Sequence, residues 1–230
     1  MRLLSVLDVF EGAVVPLRLS TIAERAGLPA PTTLRLLREL VDWGGIEKLG
    51  DGTYRVGLRM WSIGALAPCV QRIQRETTWL TRRLAVQTGA SAVLACAAGD
   101  SALVIDRAGL GTVRIGDRLP LHATAVGKVL LSGFSPQATA KIIADARRTT
   151  RFTRTDLPSI RRTLDEVAQS GFASEREEHA YGVFGLAVPI LRPDGDIGAA
   201  LGIVGANFDE KLCRELLLDA VQSVTASIMR

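Results

Sequence analysis

LSTIAERAGLPAPTTLRLLRELVDW, residues 19–43, reads as two short helices joined by a tight turn. Leu19, Ile22, Ala23 and Ala26 recur at helical spacing, and Thr21 with Glu24 has the S/T-x-x-E form of a capping box. Gly27 supplies a left-handed residue to end the first helix. Leu28-Pro29 takes the chain out extended, because the residue before a proline avoids the α region. Pro31 then stands in the first turn of a second helix, where its missing N–H costs nothing. On that helix Leu34, Leu37 and Val41 form the stripe expected to pack inward. Thr32, Thr33, Arg35 and Arg38 lie off it and are expected to face solvent or DNA. A short helix, a glycine turn and a second helix with a hydroxyl- and guanidinium-rich start make the helix-turn-helix pattern. Its second helix meets base edges in the major groove.

The next residues extend the pattern. Ile46–Leu49 and Thr53–Val56 are strand-like runs around Gly50-Asp51-Gly52, a hairpin signal. A hairpin directly after a recognition helix is a wing, from which Lys48 and Arg55 can reach phosphates and fix register. Short helical pairs are common, so a small helical domain with a decorative hairpin is the alternative on pattern alone.

Residues 3–60 resemble the winged helix-turn-helix domain of the IclR family of bacterial transcriptional regulators. GLPAPTTLRLLREL stands where that family has Gly-Leu-Pro, two small or basic residues, Thr and Arg-Leu-Leu. The resemblance implies a DNA-binding regulator, with Thr21, Ala30, Pro31, Thr32, Thr33, Arg35, Arg38, Lys48 and Arg55 as candidate DNA contacts. Two departures stand out. Ala30-Pro31 replaces a Lys-Ser-like polar pair, which implies a different operator, and Arg18 occupies the place of a capping Ser or Thr.

The chain has 230 residues, 47% of them hydrophobic, enough for one large domain or two modest ones and too apolar for wholesale disorder. A net charge of +4 permits a nucleic-acid partner without demonstrating one. Within residues 1–60, eight basic residues meet seven acidic ones. A monomeric head with so little net charge binds DNA weakly, since phosphate neutralisation supplies most of the affinity. The placement of charge must therefore outweigh its sum, and dimerisation is expected. Cys69, Cys96 and Cys213 are too widely spaced for a metal site or a redox pair and read as small core residues of a reducing cytosol. MRLLSVLDVFEG lacks the features of a signal peptide, and no run is apolar enough for a membrane span. A cytoplasmic protein without membrane association is expected.

Along the rest of the chain, Leu3, Val6, Leu7 and Phe10 mark a first helix beneath the helix-turn-helix. Leu58, Trp61 and Ala65 keep a helical step up to Pro68; with Met60 and Ile63 they are too apolar for a free linker and predict a packed or dimerising helix. Val70, Ile73, Thr77, Leu80 and Leu84 mark a long helix ending at Gly89, with Arg72, Arg75, Arg82 and Arg83 on a charged solvent face. Then the period changes. Ser91–Ala97 and Ala102–Asp106 are strands around Gly99-Asp100, and Thr112–Ile115 is expected to be a third. Ala123–Leu131 and Pro136–Ala146 read as helices broken by Gly133. A further helix carries Leu157, Ile160, Leu164, Val167 and Ala168, capped by Asp156 and stopped by Gly171. Val183–Leu191 and Ile197–Val204 flank a Pro193-Asp194-Gly195 turn, and Leu212, Leu216, Ala220, Val224 and Ile228 mark a closing helix that Asp209 can cap. The fold class is α+β with an antiparallel sheet in the second domain. The domain organisation is a winged helix-turn-helix over 1–57, a linker helix over 58–69, and an effector-binding and oligomerisation domain over 70–230.

RLPLHATAVGK at 118–128, GFASEREEH at 171–179 and the closing hairpin resemble the IclR family's effector-binding domain, a GAF-like fold. The resemblance implies a small-molecule effector held against the sheet by Val113, Thr124, Ala125, Val126, Glu175, Val183, Gly185, Gly202 and Val204. It also implies a homodimer, paired further into a dimer of dimers. Thr124, Ala125 and Val126 open a predicted helix, where free N–H groups can hold a carboxylate. Gly185, Gly202 and Val204 replace the hydroxyls and thiol found in relatives that bind small polar acids. Either the pocket is roomier and greasier, suited to a bulky or aromatic acid, or the glycines only allow close strand packing. An enzyme acting on a small acid, its helical head used for oligomerisation, is the other functional class. His122 and His179 are the only histidines, and the cluster of Glu175, Glu177, Glu178 and His179 lacks the fixed two-His spacing of a zinc helix. No nucleophile elbow or P-loop is present, and Gly109-Leu-Gly111 is followed by Arg114 where a dinucleotide fingerprint needs a third glycine. No catalytic residue, metal or cofactor is assigned.

Overall fold

The computed structural model describes residues 2–66 and 68–228, and side chains are described outside 68–76 and 225–228. The chain forms two compact units, residues 1–71 and 72–230.

The first unit is three helices and a two-stranded wing. α1 (Arg2–Asp8), α2 (Leu19–Ala26) and α3 (Ala30–Trp43) precede β1 (Ile46–Lys48), β2 (Tyr54–Val56) and α4 (Leu58–Gly64). Gly27 ends α2 at φ 62°, and its N–H closes back on the helix. The wing pairs Ile46 with Val56, Glu47 with Arg55 and Lys48 with Tyr54, and Leu17 exchanges both backbone hydrogen bonds with Tyr54, bridging the other edge of β2. Val6, Phe10, Leu17, Ile22, Leu36, Leu37, Leu40, Ile46 and Tyr54 form the core.

Three expectations change here. Arg18 holds the N-cap position without a side-chain bond, which leaves Thr21 inside the helix, so no capping box forms. On α3 the inward ridge is Thr33, Leu36, Leu37 and Leu40, rotated from the expected Leu34, Leu37 and Val41. Starting the helix at Ala30 turns Thr33 under it, where its hydroxyl donates to the Pro29 carbonyl at 3.2 Å. Thr33 is therefore buried, not presented. α4 buries none of its residues, and Leu58, Trp61 and Ile63 are exposed, so it is not a packed element of its own unit. Arg59 ties its first turn to α3, donating to the Trp43 carbonyl at 2.9 Å and stacking over the Trp43 ring.

α5 (Pro68–Thr88) starts before the boundary at 71/72 and continues into the second unit, where Thr77, Leu80, Thr81 and Leu84 are buried. The expected contributions of Val70, Ile73, Arg72, Arg75 and Cys69 lie outside the described side chains, as does that of Ile228. A six-stranded antiparallel sheet follows, in the order β5-β4-β3-β8-β7-β6. Its strands are β3 (Ser91–Ala98), β4 (Ser101–Ala108), β5 (Arg118–Pro120), β6 (Ala173–Arg176), β7 (Phe184–Leu191) and β8 (Ile197–Gly205). α6 (Ala125–Ser132), α7 (Pro136–Ala144) and α8 (Leu157–Ser170) lie between β5 and β6, and α9 (Glu210–Ile228) closes the chain against β7 and β8. Asp156 and Asp209 cap α8 and α9 as expected.

Val93, Ala95, Ala102, Val104, Ala187 and Ala200 pack with Val126, Val129 and Leu130 of α6. Their alternating neighbours Leu94, Leu186, Val188, Leu201 and Ile203 are buried too, so the sheet is covered on both faces. Thr112–Ile115 is not a strand. Asp117 accepts from the Arg114 N–H at 2.8 Å, folding the segment into a turn, and Gly116 and Asp117 take the backbone groups of Val104 that a strand there would need. The unforeseen strands are β5, which pairs with β4 through Leu119 and Ala102, and β6, which pairs with β7 through Ala173 and Glu175.

Leu37 is fully buried under α3. Leu37→Ala should cost about 2–4 kcal/mol. The check is a separate, earlier melting of the first unit by calorimetry, with the second unit's transition unmoved.

Candidate functional site

The second unit encloses a cavity of about 310 Å³ between the start of α6, the sheet and the segment joining β6 to β7. Val113, Thr124, Ala125, Val126, Glu175, Val183, Gly185, Gly202 and Val204 all line it. Sequence reasoning omitted Ser91, Leu110, Thr112, Leu119 and Ala180, which also face it; Leu119 belongs to the 118–128 motif, while the others lie outside the quoted motifs and arrive there by topology. The walls are mostly apolar, with a few convergent polar groups, as in a small-molecule pocket.

The start of α6 is fixed from both sides. Thr124 accepts from the Gly127 N–H at 3.1 Å and donates to the Pro120 carbonyl at 2.9 Å. Glu175, reaching over from β6, accepts from the Ala125 N–H at 3.2 Å through Oε2 and from the His179 N–H at 3.3 Å through Oε1. Two first-turn N–H groups of the helix are thus already taken, one of them by the protein's own carboxylate. One turn on, Lys128 is 2% exposed. Its Nζ donates to the Ser174 carbonyl at 2.9 Å and pairs with Glu178 at 2.6 Å.

The glycines decide how close α6 comes to the sheet. A Cβ on Gly202 would lie 2.8 Å from Val126 Cγ1 and 2.9 Å from the Leu186 carbonyl. On Gly185 it would meet Glu175 Oε2 at 3.2 Å and Ala125 Cβ at 3.3 Å. The space their missing side chains leave is filled by the helix. The expectation of a roomier pocket from these two residues is corrected: they permit close packing, and the cavity stays apolar without being widened by them.

Burial raises the Glu175 carboxyl to about 7, against its two backbone N–H donors and Lys128, which favour the charged form. Burial lowers Lys128, and Glu178 offsets part of that effect. His179 is lowered by burial and then by His122; its Nδ1 is buried without a partner among the described residues. His122 is lowered by burial and contacts the Arg147 carbonyl at 3.1 Å. Among the described residues no group of His, Cys, Asp and Glu is arranged to hold a metal ion.

In the first unit, Ala30, Pro31, Arg35, Arg38, Lys48 and Arg55 are exposed, Thr21 and Thr32 are partly so, and Thr33 is buried. Arg35 pairs with Glu39 one turn along α3, and Arg55 pairs with Glu47 across the wing at 2.7 Å. Arg38 and Lys48 form no ion pair among the described residues. Of the four candidate cations, two are thus without an ion pair among the described residues and two are held in exposed pairs of the weak kind.

Comparison with known proteins places both units. Residues 1–50 match the family model described as IclR helix-turn-helix domain, and residues 69–229 match the one described as bacterial transcriptional regulator IclR C-terminal. The chain is 31% identical over 212 residues to the HTH-type transcriptional regulator XynR of Escherichia coli K12, covering 88% of this chain and 83% of that protein. It is 28% identical to the HTH-type transcriptional repressor AllR of Klebsiella pneumoniae, covering 89% and 78%. The structure of an IclR homolog from Microbacterium hydrocarbonoxydans, complexed with 4-hydroxybenzoate, superposes with a TM-score of 0.89 at 26% identity, covering 99% and 97% of the two chains.

The raised Glu175 carboxyl has a signed consequence. Between its ordinary 4.5 and about 7 the folded chain holds a proton that the unfolded chain has lost, so this group's contribution to stability falls as pH rises through that window. The loss is on the order of 3 kcal/mol. Glu175→Gln removes it: chemical denaturation at pH 5 and pH 8 should show the variant gaining on the wild type at the higher pH. A constant difference would contradict the buried state of the carboxyl.

Proposed function

Because this chain belongs to the IclR family of bacterial transcriptional regulators, we propose that it binds a palindromic operator as a homodimer, paired further as a dimer of dimers, under the control of an aromatic acid. Regulators of this family bind DNA through the helix-turn-helix domain and a small effector through the C-terminal domain. The observation that carries the effector class is the cavity under α6. It is apolar, about 310 Å³, and belongs to a chain that superposes over nearly its whole length on a relative complexed with 4-hydroxybenzoate. A substituted benzene ring suits such walls, and the few polar groups at the start of α6 orient its acid.

On this reading residues 1–57 are the DNA-binding domain, 58–69 the linker helix and 70–230 the effector and oligomerisation domain. Arg38 and Lys48 supply the first phosphate contacts, Arg35 and Arg55 follow by exchange, and Thr21, Ala30, Pro31 and Thr32 stand where base edges are read. Thr33 shapes the ridge that presents them. Residues 1–60, the head with the first residues of the linker helix, carry a net charge of only +1, which supports pairing: two heads double the phosphate contacts and set half-site spacing. The exposed Leu58, Trp61 and Ile63 of α4 offer an apolar face for that pairing. Among the described residues no helix is long and apolar enough to cross a membrane, in keeping with a cytoplasmic regulator. No enzymatic activity is assigned.

An electrophoretic shift with the DNA upstream of the chain's own gene tests the first half. Arg38→Ala should weaken binding about 5- to 100-fold and lower the salt slope by about one. Equal affinity in the variant would remove the assignment of α3. For the second half, Val126→Trp should fill the cavity, abolish the thermal shift given by 4-hydroxybenzoate and leave DNA affinity as in the wild type.

A further inference from the structure

The cavity has an unusual charge balance for a site that takes an acid. Its lining includes no lysine and no arginine. The one side-chain carboxyl in it belongs to Glu175, 3% exposed, and the one basic ring to His179. Lys128, one helical turn after Thr124, is engaged by Glu178 at 2.6 Å and does not line the cavity. Glu175 also occupies the Ala125 N–H that would otherwise receive an incoming anion. A second carboxylate entering here meets a carboxylate already in place and, among the described lining residues, no lysine or arginine to compensate it. Two such ions in one dry site do not both stay charged.

We propose that Glu175 determines the charge the pocket accepts: an aromatic carboxylate binds together with one proton from solvent, held between the ligand oxygen and the Glu175 carboxyl. This rests on the reading that the cavity takes an aromatic acid. The proton given up by solvent or buffer forms one O–H bond, on either carboxylate, and no other covalent bond changes; it converts a repulsive pair into an O–H···O⁻ hydrogen bond, among the shorter and stronger kinds. Glu175 is suited to the task, since burial has already brought its proton affinity to about 7. The groups facing it are the Ala125 N–H and Lys128 from α6, Gly185 from β7, and His179 and Glu178 from the segment after β6. His179 lines the same cavity and its ring can also carry a proton, so the test must separate the two.

Isothermal titration of the full-length protein with 4-hydroxybenzoate and with 4-hydroxybenzamide, in buffers of different ionisation enthalpy from pH 6 to 8.5, counts the protons. The acid should bind with uptake approaching one proton above pH 7, its affinity falling about tenfold per pH unit there. The amide, which donates to an ionised Glu175, should hold level or tighten. Glu175→Gln keeps an acceptor for the Ala125 N–H and should bind the acid with no uptake and a flat pH profile. His179→Asn should retain the uptake. Absence of uptake in the wild type, or uptake that survives Glu175→Gln and disappears in His179→Asn, would overturn the proposal. Should the glutamine variant fail to fold, the wild-type proton count and the acid–amide comparison decide alone. Failure of both probes to bind the wild type would remove the aromatic-acid reading itself, and this inference with it; acid binding without uptake would remove the inference only.

Discussion

Three ionisable side chains packed around the first turns of α6 set the terms for the rest of the second unit. Lys128 and Glu178 are almost wholly out of water, at a cost of several kcal/mol per ion that a 2.6 Å contact and the bond to the Ser174 carbonyl must offset. Such a pair adds little net stability, but it is intolerant of displacement, because moving either partner strands the other. It therefore pins α6 to the segment after β6. Thr149, Thr150 and Thr153 reinforce that segment by donating to the Glu177 and Glu178 carbonyls. Glu177 keeps a left-handed backbone at φ 55° within this mesh. Glu175 then completes the arrangement from the pocket side, so one wall of the cavity is defined by hydrogen bonds to fixed atoms.

The opposite wall depends on absence of atoms. Gly202 and Gly185 let Val126 and Ala125 approach the strands to van der Waals distance, and Gly127 does the same against Pro120 and Leu121. A hydroxyl or thiol at the two strand positions would push the helix away or disturb Glu175. The pocket's apolar character and the seating of α6 are thus one choice, not two. On the proposed function, a ligand recognised here would gain mostly from burying a ring, with polar discrimination concentrated at a single carboxyl.

Much of this was legible in the chain. Turn glycines, Asp caps and the change from helical to alternating period located most elements, and the motif at 118–128 brought the pocket-lining residues to notice before any contact was known. Failures came where a local signal had a long-range competitor. Thr33 looked polar and therefore outward, yet the helix start at Ala30 sets the phase that rotates it inward. Thr112–Ile115 had strand composition, but Asp117 captures the Arg114 N–H and the β4 edge is taken by residues further on. Gly202 read equally as vacancy or close contact; only the position of Val126 distinguishes them. Lys128 passed as one letter of a motif, because a lysine in an apolar run announces neither its burial nor a partner 50 residues away.

The head and the pocket must still be coupled in energy for an effector to regulate anything. Any ligand of the cavity stabilises the second unit by mass action, whatever it does to DNA binding. Regulation needs the ligand to favour one DNA-binding arrangement over another, and linkage makes the effect mutual: operator DNA must change effector affinity by the same factor. In the proposed homodimer, a head whose residues 1–60 sum to only +1 makes such control economical. On that proposal affinity comes from placement of a few cations, two of them tied to carboxylates in the free state, so a modest change in how two heads are presented would move operator affinity over a wide range. A strongly basic head would hold DNA nonspecifically in every arrangement, and a ligand worth one or two kcal/mol of differential binding, about five- to thirty-fold, would then control little.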